Sequence, residues 1–430
     1  VEAATGEVKT LEERYQALIK AARRTPAIDI AIQLGDLILE TAVLERASDI
    51  HFEHHGTSLR IRFRIDGILQ DALMVPRNTE IPITQRLRVL AGFDPEPPTT
   101  FRSEEGRFQK VLLGRAIQVR VSSFPTINGE KLVLRVLDRQ HLGLDITQLG
   151  LEQESMTTLR KLIRSPYGIF FITGATGSGK TTSMYAMVRN ISTPMINITT
   201  LEDPVEYRLE GINQAQINPK TGFSWGEGLR TILRQDPDVI MVGEIRDHET
   251  AEISMRAALT GHLLFTTMHT INAAGVVERL FEMGVPPFLI ASSLLGSMAQ
   301  RLVRQICPKC AQEAAPPSEA VVNEFVKSLD PKEAKMIKEI VFKPGGRFKL
   351  EQGCQACRNT GYMGRTGIFE LMIMNEELRK QVLAHASTDV LRRTAVQTES
   401  MRTLLMDGLS NAWAGHTTLA EVIRVTATMV

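Results

Sequence analysis

Apolar positions set the frame of the chain. Ile28, Ile32, Leu34, Leu37, Ile38 and Leu44 recur at helical spacing. Thr25-Pro26 ahead of them supplies an N-cap and a first helical residue, so a helix is predicted to about Arg46. Strands are then predicted over Ile50–His54, Leu59–Ile65 and Ile68–Met74, with Asp66-Gly67 as a two-residue hairpin turn between the last two. A helix over Glu80–Ala91 and strands over Arg107–Leu112, Ala116–Val121 and Lys131–Leu137 complete a small α+β domain, residues 25–138. A charged helical segment, 1–24, precedes it and a linker, 139–150, follows. From Leu151 apolar strands alternate with helices: Gly168–Thr173, Met195–Leu201, Val239–Val242 and Leu263–Thr267 predict a parallel α/β sheet over 151–305. After Gln300 the chain is read as leaving the sheet. Residues 306–360 hold every cysteine, and 361–430 form a subdomain with helices from about Asn375 to Met429. No internal repeat or low-complexity tract is present.

With 430 residues the chain is too long for a single ordinary core. Hydrophobic residues at 43% and charged residues at 23% fit a soluble globular protein. The formal net charge of +1 gives no global attraction to nucleic acid or membrane, and 5% aromatics argue against a base-stacking platform. The charged N-terminal stretch has no signal-peptide core, and the longest apolar stretch, Val285–Ala299, is broken by Pro and Ser and too short to span a bilayer. The chain is read as cytosolic. It begins with Val rather than Met and is expected to continue upstream.

Gly174-Ala175-Thr176-Gly177-Ser178-Gly179-Lys180-Thr181 fits G-x-x-x-x-G-K-[ST] between a buried strand and a helix. Glycines there let backbone N–H groups approach phosphate oxygens at a helix N-terminus. Residues Gly174 to Lys180, with Thr181 and Thr182, are the candidates for binding a nucleoside triphosphate. Lys180 would reach the β- and γ-phosphates, and Thr181 would hold Mg²⁺.

Ligands of open parallel sheets bind beyond the carboxyl ends of the strands, so useful acids belong there. Glu202 ends the strand that precedes Asp203-Pro204. It can orient or deprotonate water, or simply cap a turn. Glu244 follows Val239–Val242 and Gly243, where phosphate-loop enzymes usually place an aspartate. It is a candidate for the Mg²⁺–water shell, the alternative being a surface acid paired with Arg246. Asp238 starts that strand and lies at the wrong end. Histidines flank Leu263–Thr267. His269 falls at the ligand end, where it can donate to the γ-phosphate or serve structure, and His262 falls away from it. Arg60, Arg62 and Arg64 share one strand face, either solvated or supplying an arginine to the nucleotide.

The cysteines Cys307, Cys310, Cys354 and Cys357 form two C-x-x-C pairs. Two pairs can give four thiolates to one tetrahedral Zn²⁺, although 43 residues between pairs exceed finger spacing and one pair alone could be redox-active.

Taken in order, the phosphate loop, Thr200-Leu201-Glu202-Asp203-Pro204-Val205-Glu206, Leu229–Arg246 and Gly261–Thr270 resemble the secretion-superfamily ATPases of type II secretion and type IV pilus assembly. So do Ala47–Glu53, Arg62–Gly67 and Val121–Asp138 upstream, and Gln300–Val303 and Gly361–Glu370 downstream. The likeness covers about Pro26 to the C-terminus. It implies a RecA-like P-loop ATPase domain joined to the smaller N-terminal α+β domain, with nucleotide between the two, a zinc-bound helical arm, and a homo-hexameric ring. It implies that Glu202 is the general base, Glu244 the acid near Mg²⁺ and His269 the γ-phosphate histidine. It implies that Arg62 and Arg77 contact phosphates, and places Arg230, Arg234 and Arg246 near the site or subunit contacts. The arm, with charged Asp330–Glu339, becomes a surface for docking partners.

The implied function is a cytoplasmic ATPase whose domain motion drives pilin or pseudopilin assembly through an inner-membrane platform protein. A recruiting partner is implied on the cytoplasmic side, and the membrane is reached only through partners. Rival readings are a retraction ATPase, a nucleic-acid translocase and a nonhydrolysing scaffold; the cysteine pairs, the neutral charge and the intact acids oppose them in turn. Two departures from the family stand out: Phe101–Arg107 replaces a basic stretch, and an Asn-Asp pair reads Asn272-Ala273.

Overall fold

A computed structural model of the chain describes residues 11–21, 27–96, 102–138, 145–327, 329–398 and 401–427. The fold divides into two compact units, Val1–Leu142 and Gly143–Val430.

In the first unit, helices α1 (Leu11–Ala21) and α2 (Ala27–Leu44) precede strands β1 (Ala47–His55), β2 (Ser58–Ile65) and β3 (Ile68–Pro76). Helix α3 (Arg77–Ala91) and strands β4 (Glu104–Leu112), β5 (Arg115–Thr126) and β6 (Gly129–Asp138) follow. The strands form one antiparallel sheet in the order β3-β2-β1-β6-β5-β4. The predicted hairpin holds: Asp66 and Gly67 take φ of 49° and 86°, so both central residues are left-handed as this tight turn requires. Alternation sorts β2 by face. Leu59, Ile61 and Phe63 are buried in a core shared with α2 and α3, while Arg60, Arg62 and Arg64 line the opposite, charged face. Thr25-Pro26, the predicted cap of α2, lies outside the described residues, as does much of the Phe101–Arg107 departure's approach, 97–101.

In the second unit, α4 (Gln153–Leu162), β7 (Gly168–Thr173), α5 (Lys180–Ile191), β8 (Ile198–Glu202) and β9 (Asn213–Gln216) come first. Then come α6 (Trp225–Ile232), β10 (Val239–Val242), α7 (His248–Leu259), β11 (Leu263–Met268), α8 (Gly275–Glu282), α9 (Pro287–Ser293) and β12 (Leu294–Ile306). The sheet order is β15-β12-β7-β11-β10-β8-β9, with β15 (Tyr362–Ile373) the antiparallel edge. Strands β7, β10 and β11 are buried at every position, as expected of parallel strands with helices on both faces. One face packs against α4 and α5, the other against α6 to α9.

Two expectations need correction here. The strand expected from Met195 begins at Ile198, because Thr193–Ile196 forms a turn that leaves Met195 89% exposed. The sheet also does not end at Gln300. Strand β12 pairs with β7 only as far as Ala299, then runs on to Ile306 against β15. Polar Gln300, Arg301 and Arg304 lie on that extension, which hides the strand from apolar patterning.

The cysteine segment corrects a third. Short strands β13 (Gln312–Glu313) and β14 (Lys349–Leu350) pair with each other and enclose helices α10 (Glu319–Val326) and α11 (Pro331–Val341). These helices are not an arm held only at its base. Val322, Val326, Ile337 and Val341 share a core with Leu405, Met406 and Leu409 of α14 (Leu404–Trp413), and Glu333 is buried against Arg392 at 3.0 Å and Thr403 at 3.1 Å. Helices α12 (Glu376–Leu383), α13 (Thr388–Thr398) and α15 (Leu419–Thr426) flank α14 in the sequence. No helix among the described residues is long and apolar enough to cross a membrane.

Candidate nucleotide site

The phosphate loop joins the carboxyl end of β7 to the first turn of α5. Two of its glycines leave no room for a side chain. A Cβ on Gly174 (φ 147°) would lie 2.4 Å from the Gln300 carbonyl oxygen, and one on Gly179 (φ 89°) 2.8 Å from Gln300 Nε2. Gln300 therefore buttresses the loop from β12, and its Oε1 accepts from Ser183 Oγ of α5 at 2.7 Å. Its role was not evident in the sequence, because only the completed sheet brings β12 beside β7. Within the loop, Ser178 Oγ is buried without a hydrogen-bond partner. A buried hydroxyl in a glycine-lined cradle at a helix N-terminus suits a phosphate oxygen.

Lys180 Nζ donates to the carbonyls of Gly174 at 2.7 Å and Ala175 at 3.1 Å, and lies 3.5 Å from His269 Nδ1. Burial lowers its pKa to about 8, against the opposing pull of the Glu244 carboxylate. His269 Nε2 lies 3.8 Å from Glu244 Oε2, and Glu244 is also paired with Arg246. Burial first, and the nearby Lys180 cation second, lower the His269 pKa, favouring the neutral ring. Thus Lys180, His269, Glu244 and Arg246 form one continuous polar cluster beyond the carboxyl ends of β7, β11 and β10. Glu244 pairs with Arg246, as its alternative reading expects, and its carboxylate is close enough to Lys180 to oppose the fall in the lysine pKa. Thr181 and Thr182 occupy the first turn of α5.

Glu202 is not part of that contact chain. It ends β8, is 3% exposed, and accepts from Thr200 Oγ1 at 2.5 Å, Gln214 Nε2 at 3.1 Å and the Tyr185 hydroxyl. Burial raises its pKa, with these three hydrogen bonds opposing the rise. His262 Nδ1 lies 3.0 Å from the Ala257 carbonyl, at the other end of β11. Asp238 likewise serves the entry end of the sheet, accepting from the Asn197 N–H at 2.7 Å.

The candidate arginines Arg62 and Arg77 belong to the first unit. Arg62 pairs with Glu53 at 2.6 Å, and Lys131 joins the same carboxylate at 2.7 Å. Arg77 opens α3, and its side chain lies outside the described residues.

The four cysteines gather into a second site, and none is in a disulfide. Their Sγ atoms all lie within 4.8 Å of one another, with 3.9 Å between Cys307 and Cys354 and 3.7 Å between Cys310 and Cys357. Zinc–sulfur bonds of about 2.3 Å in a tetrahedron place sulfurs about 3.8 Å apart, so the set fits Zn²⁺. Backbone N–H groups of Cys354 and Gly361 both donate to Cys357 Sγ at 3.2 Å, which suits a thiolate.

A family model described as "Type II/IV secretion system protein" matches residues 27–424. The chain is 42% identical over 395 residues to "Type II secretion system protein E" of Pectobacterium carotovorum subsp. carotovorum, covering 92% of this chain and 75% of that protein. It is 42% identical over 396 residues to "Type II secretion system ATPase E" of Vibrio cholerae, with the same coverage. The structure of the ATPase DotB of Yersinia pseudotuberculosis superposes with a TM-score of 0.66 at 22% identity, over 92% of this chain and 93% of that one. This last likeness shows the fold, a RecA-like α/β architecture.

Proposed function

Because the chain belongs to the Type II/IV secretion system protein family and is one of its ATPases, we propose that it is a hexameric motor that turns ATP hydrolysis into domain motion. That motion drives assembly of pseudopilin or pilin subunits at the cytoplasmic face of the inner membrane, through a membrane platform protein and a recruiting partner. The observation that carries the reading is the Lys180–His269–Glu244–Arg246 cluster set against a glycine cradle with an unpartnered Ser178 hydroxyl.

Lys180 binds the β- and γ-phosphates, and residues Gly174–Thr182 orient the rest of the triphosphate. Thr181 and Glu244 are the residues to hold Mg²⁺, which supplies charge neutralisation on the phosphates when bound. His269, neutral at physiological pH, donates to the γ-phosphate. Glu202 accepts the proton of the attacking water, and its raised pKa brings it nearer the working pH of a general base. Arg62 and Arg77 neutralise developing phosphate charge. Cys307, Cys310, Cys354 and Cys357 hold Zn²⁺ as a structural staple of the α10–α11 excursion.

Phosphate release by the purified chain with MgATP tests the reading. Lys180→Ala is expected to lower turnover by roughly 10³-fold while thermal unfolding is unchanged. Lys180→Ala retaining wild-type turnover would refute the site.

A further inference from the structure

Tyr185 has no part in the scheme above. It lies on α5 five residues beyond Lys180, about 7.5 Å along the axis. Its ring is 1% exposed and packs edge-on against Tyr207, with centroids 4.6 Å apart. Its hydroxyl accepts from the Glu206 backbone N–H at 3.3 Å, so its single proton is free to be donated elsewhere, and the group it meets is Glu202 Oε2.

Each carboxylate oxygen offers two acceptor sites. Both sites on Glu202 Oε1 are taken, by Thr200 and Gln214. One site on Oε2 is taken by Tyr185, which leaves one. Donors on β8, β9 and α5 thus fill three sites of the acid, and Tyr185 fixes the fourth in direction. All three donors are neutral, so they orient the acid without a salt bridge that would quench its basicity.

We propose that Tyr185 is a positioning residue for hydrolysis: it holds the Glu202 carboxyl in one orientation and reserves the last Oε2 lone pair for the attacking water. This rests on the assignment of Glu202 as general base. Because Tyr185 shares α5 with Lys180, the same helix sets the phosphate contact and the aim of the base. Removing the tyrosine hydroxyl takes a donor from a buried carboxylate, which then keeps its proton to higher pH.

The test measures kcat and KM for MgATP by phosphate release from pH 6 to 9.5, using the full chain and Tyr185→Phe, Thr200→Val and Glu202→Gln. Tyr185→Phe keeps the ring and its packing. It is expected to lower kcat about tenfold on the acid limb with KM unchanged, and to recover towards wild type as pH rises, the acid limb moving up by about one pH unit. Thr200→Val, which removes a different donor, is expected to move the limb the same way. A Tyr185→Phe profile that superposes on wild type, or a loss of kcat equal at every pH, overturns the proposal. If Tyr185→Phe fails to unfold cooperatively, an unmoved limb in Thr200→Val overturns it instead. Full turnover in Glu202→Gln refutes the general-base assignment, whereas an inactive Glu202→Gln beside an unaltered Tyr185→Phe refutes only the role of Tyr185.

Discussion

Strands β8 and β10 are neighbours and each delivers a glutamate to the carboxyl end of the sheet, yet the two acids sit in opposite surroundings. Glu244, two residues past β10, lies beside the Arg246 cation and the neutral His269 ring, with the Lys180 cation beyond the histidine. Glu202, the last residue of β8, is buried among neutral donors. The Gly243 N–H donates to the Leu201 carbonyl at 2.8 Å and holds the two strand ends together. A carboxylate oxygen is a hard ligand and suits a hard cation and its water. A desolvated one holds its proton more tightly and suits proton transfer. Two acids one register step apart on adjacent strands therefore meet two different surroundings.

Replacing each acid separately breaks the comparison most strongly. Glu202→Gln is expected to cost about 10²–10⁴-fold in kcat at saturating Mg²⁺, with ATP still bound. Glu244→Gln is expected to lose activity that excess Mg²⁺ restores in part. Steady-state kinetics over a Mg²⁺ series checks both; equal, Mg²⁺-independent losses would merge the two roles.

A smaller effect follows from Lys180. Its lowered pKa means the ammonium is fully present below about pH 8 and is lost as pH rises through that value. Affinity for ATP is therefore expected to weaken up to about tenfold per pH unit above pH 8. Equilibrium binding of a fluorescent ATP analogue between pH 7 and 10 measures this, and Glu244→Gln, which removes the opposing carboxylate, moves the onset to lower pH. Affinity flat to pH 10 would remove the lysine from the contact.

The smallest effect on the comparison comes from the cysteine site, which touches neither acid. Cys354→Ser is expected to drop bound zinc from about one ion per chain, read by elemental analysis, and to lower the unfolding temperature by several degrees. The split between Glu202 and Glu244 in Mg²⁺ dependence stays intact. An unchanged melting temperature with no zinc in either protein would remove the metal from the fold.

Much of this arrangement was legible in the sequence, for reasons that differ by region. The Asp66-Gly67 turn, the buried run Gly168–Thr173 and the glycine spacing of the phosphate loop each leave a local signature. Strand geometry alone put Glu202, Glu244 and His269 at the ligand end and Asp238 and His262 at the other. Non-local facts were hidden. Gln300 supports the loop only because β12 inserts beside β7, and its polar continuation conceals the strand. Tyr185 is one apolar-facing residue of an amphipathic helix until β8 and β9 bring Glu202 and Gln214 to its hydroxyl. The packing of α10 and α11 on α14 pairs segments some seventy residues apart, as in Glu333 with Thr403, beyond the reach of any periodicity.

The most direct test of the division between the two acids is the Mg²⁺ concentration that half-saturates binding of a slowly hydrolysed ATP analogue, measured in wild type, Glu202→Gln and Glu244→Gln. The predicted result is a rise of about tenfold in Glu244→Gln alone, with Glu202→Gln matching wild type. An equal rise in both variants, or a rise only in Glu202→Gln, would contradict the assignment.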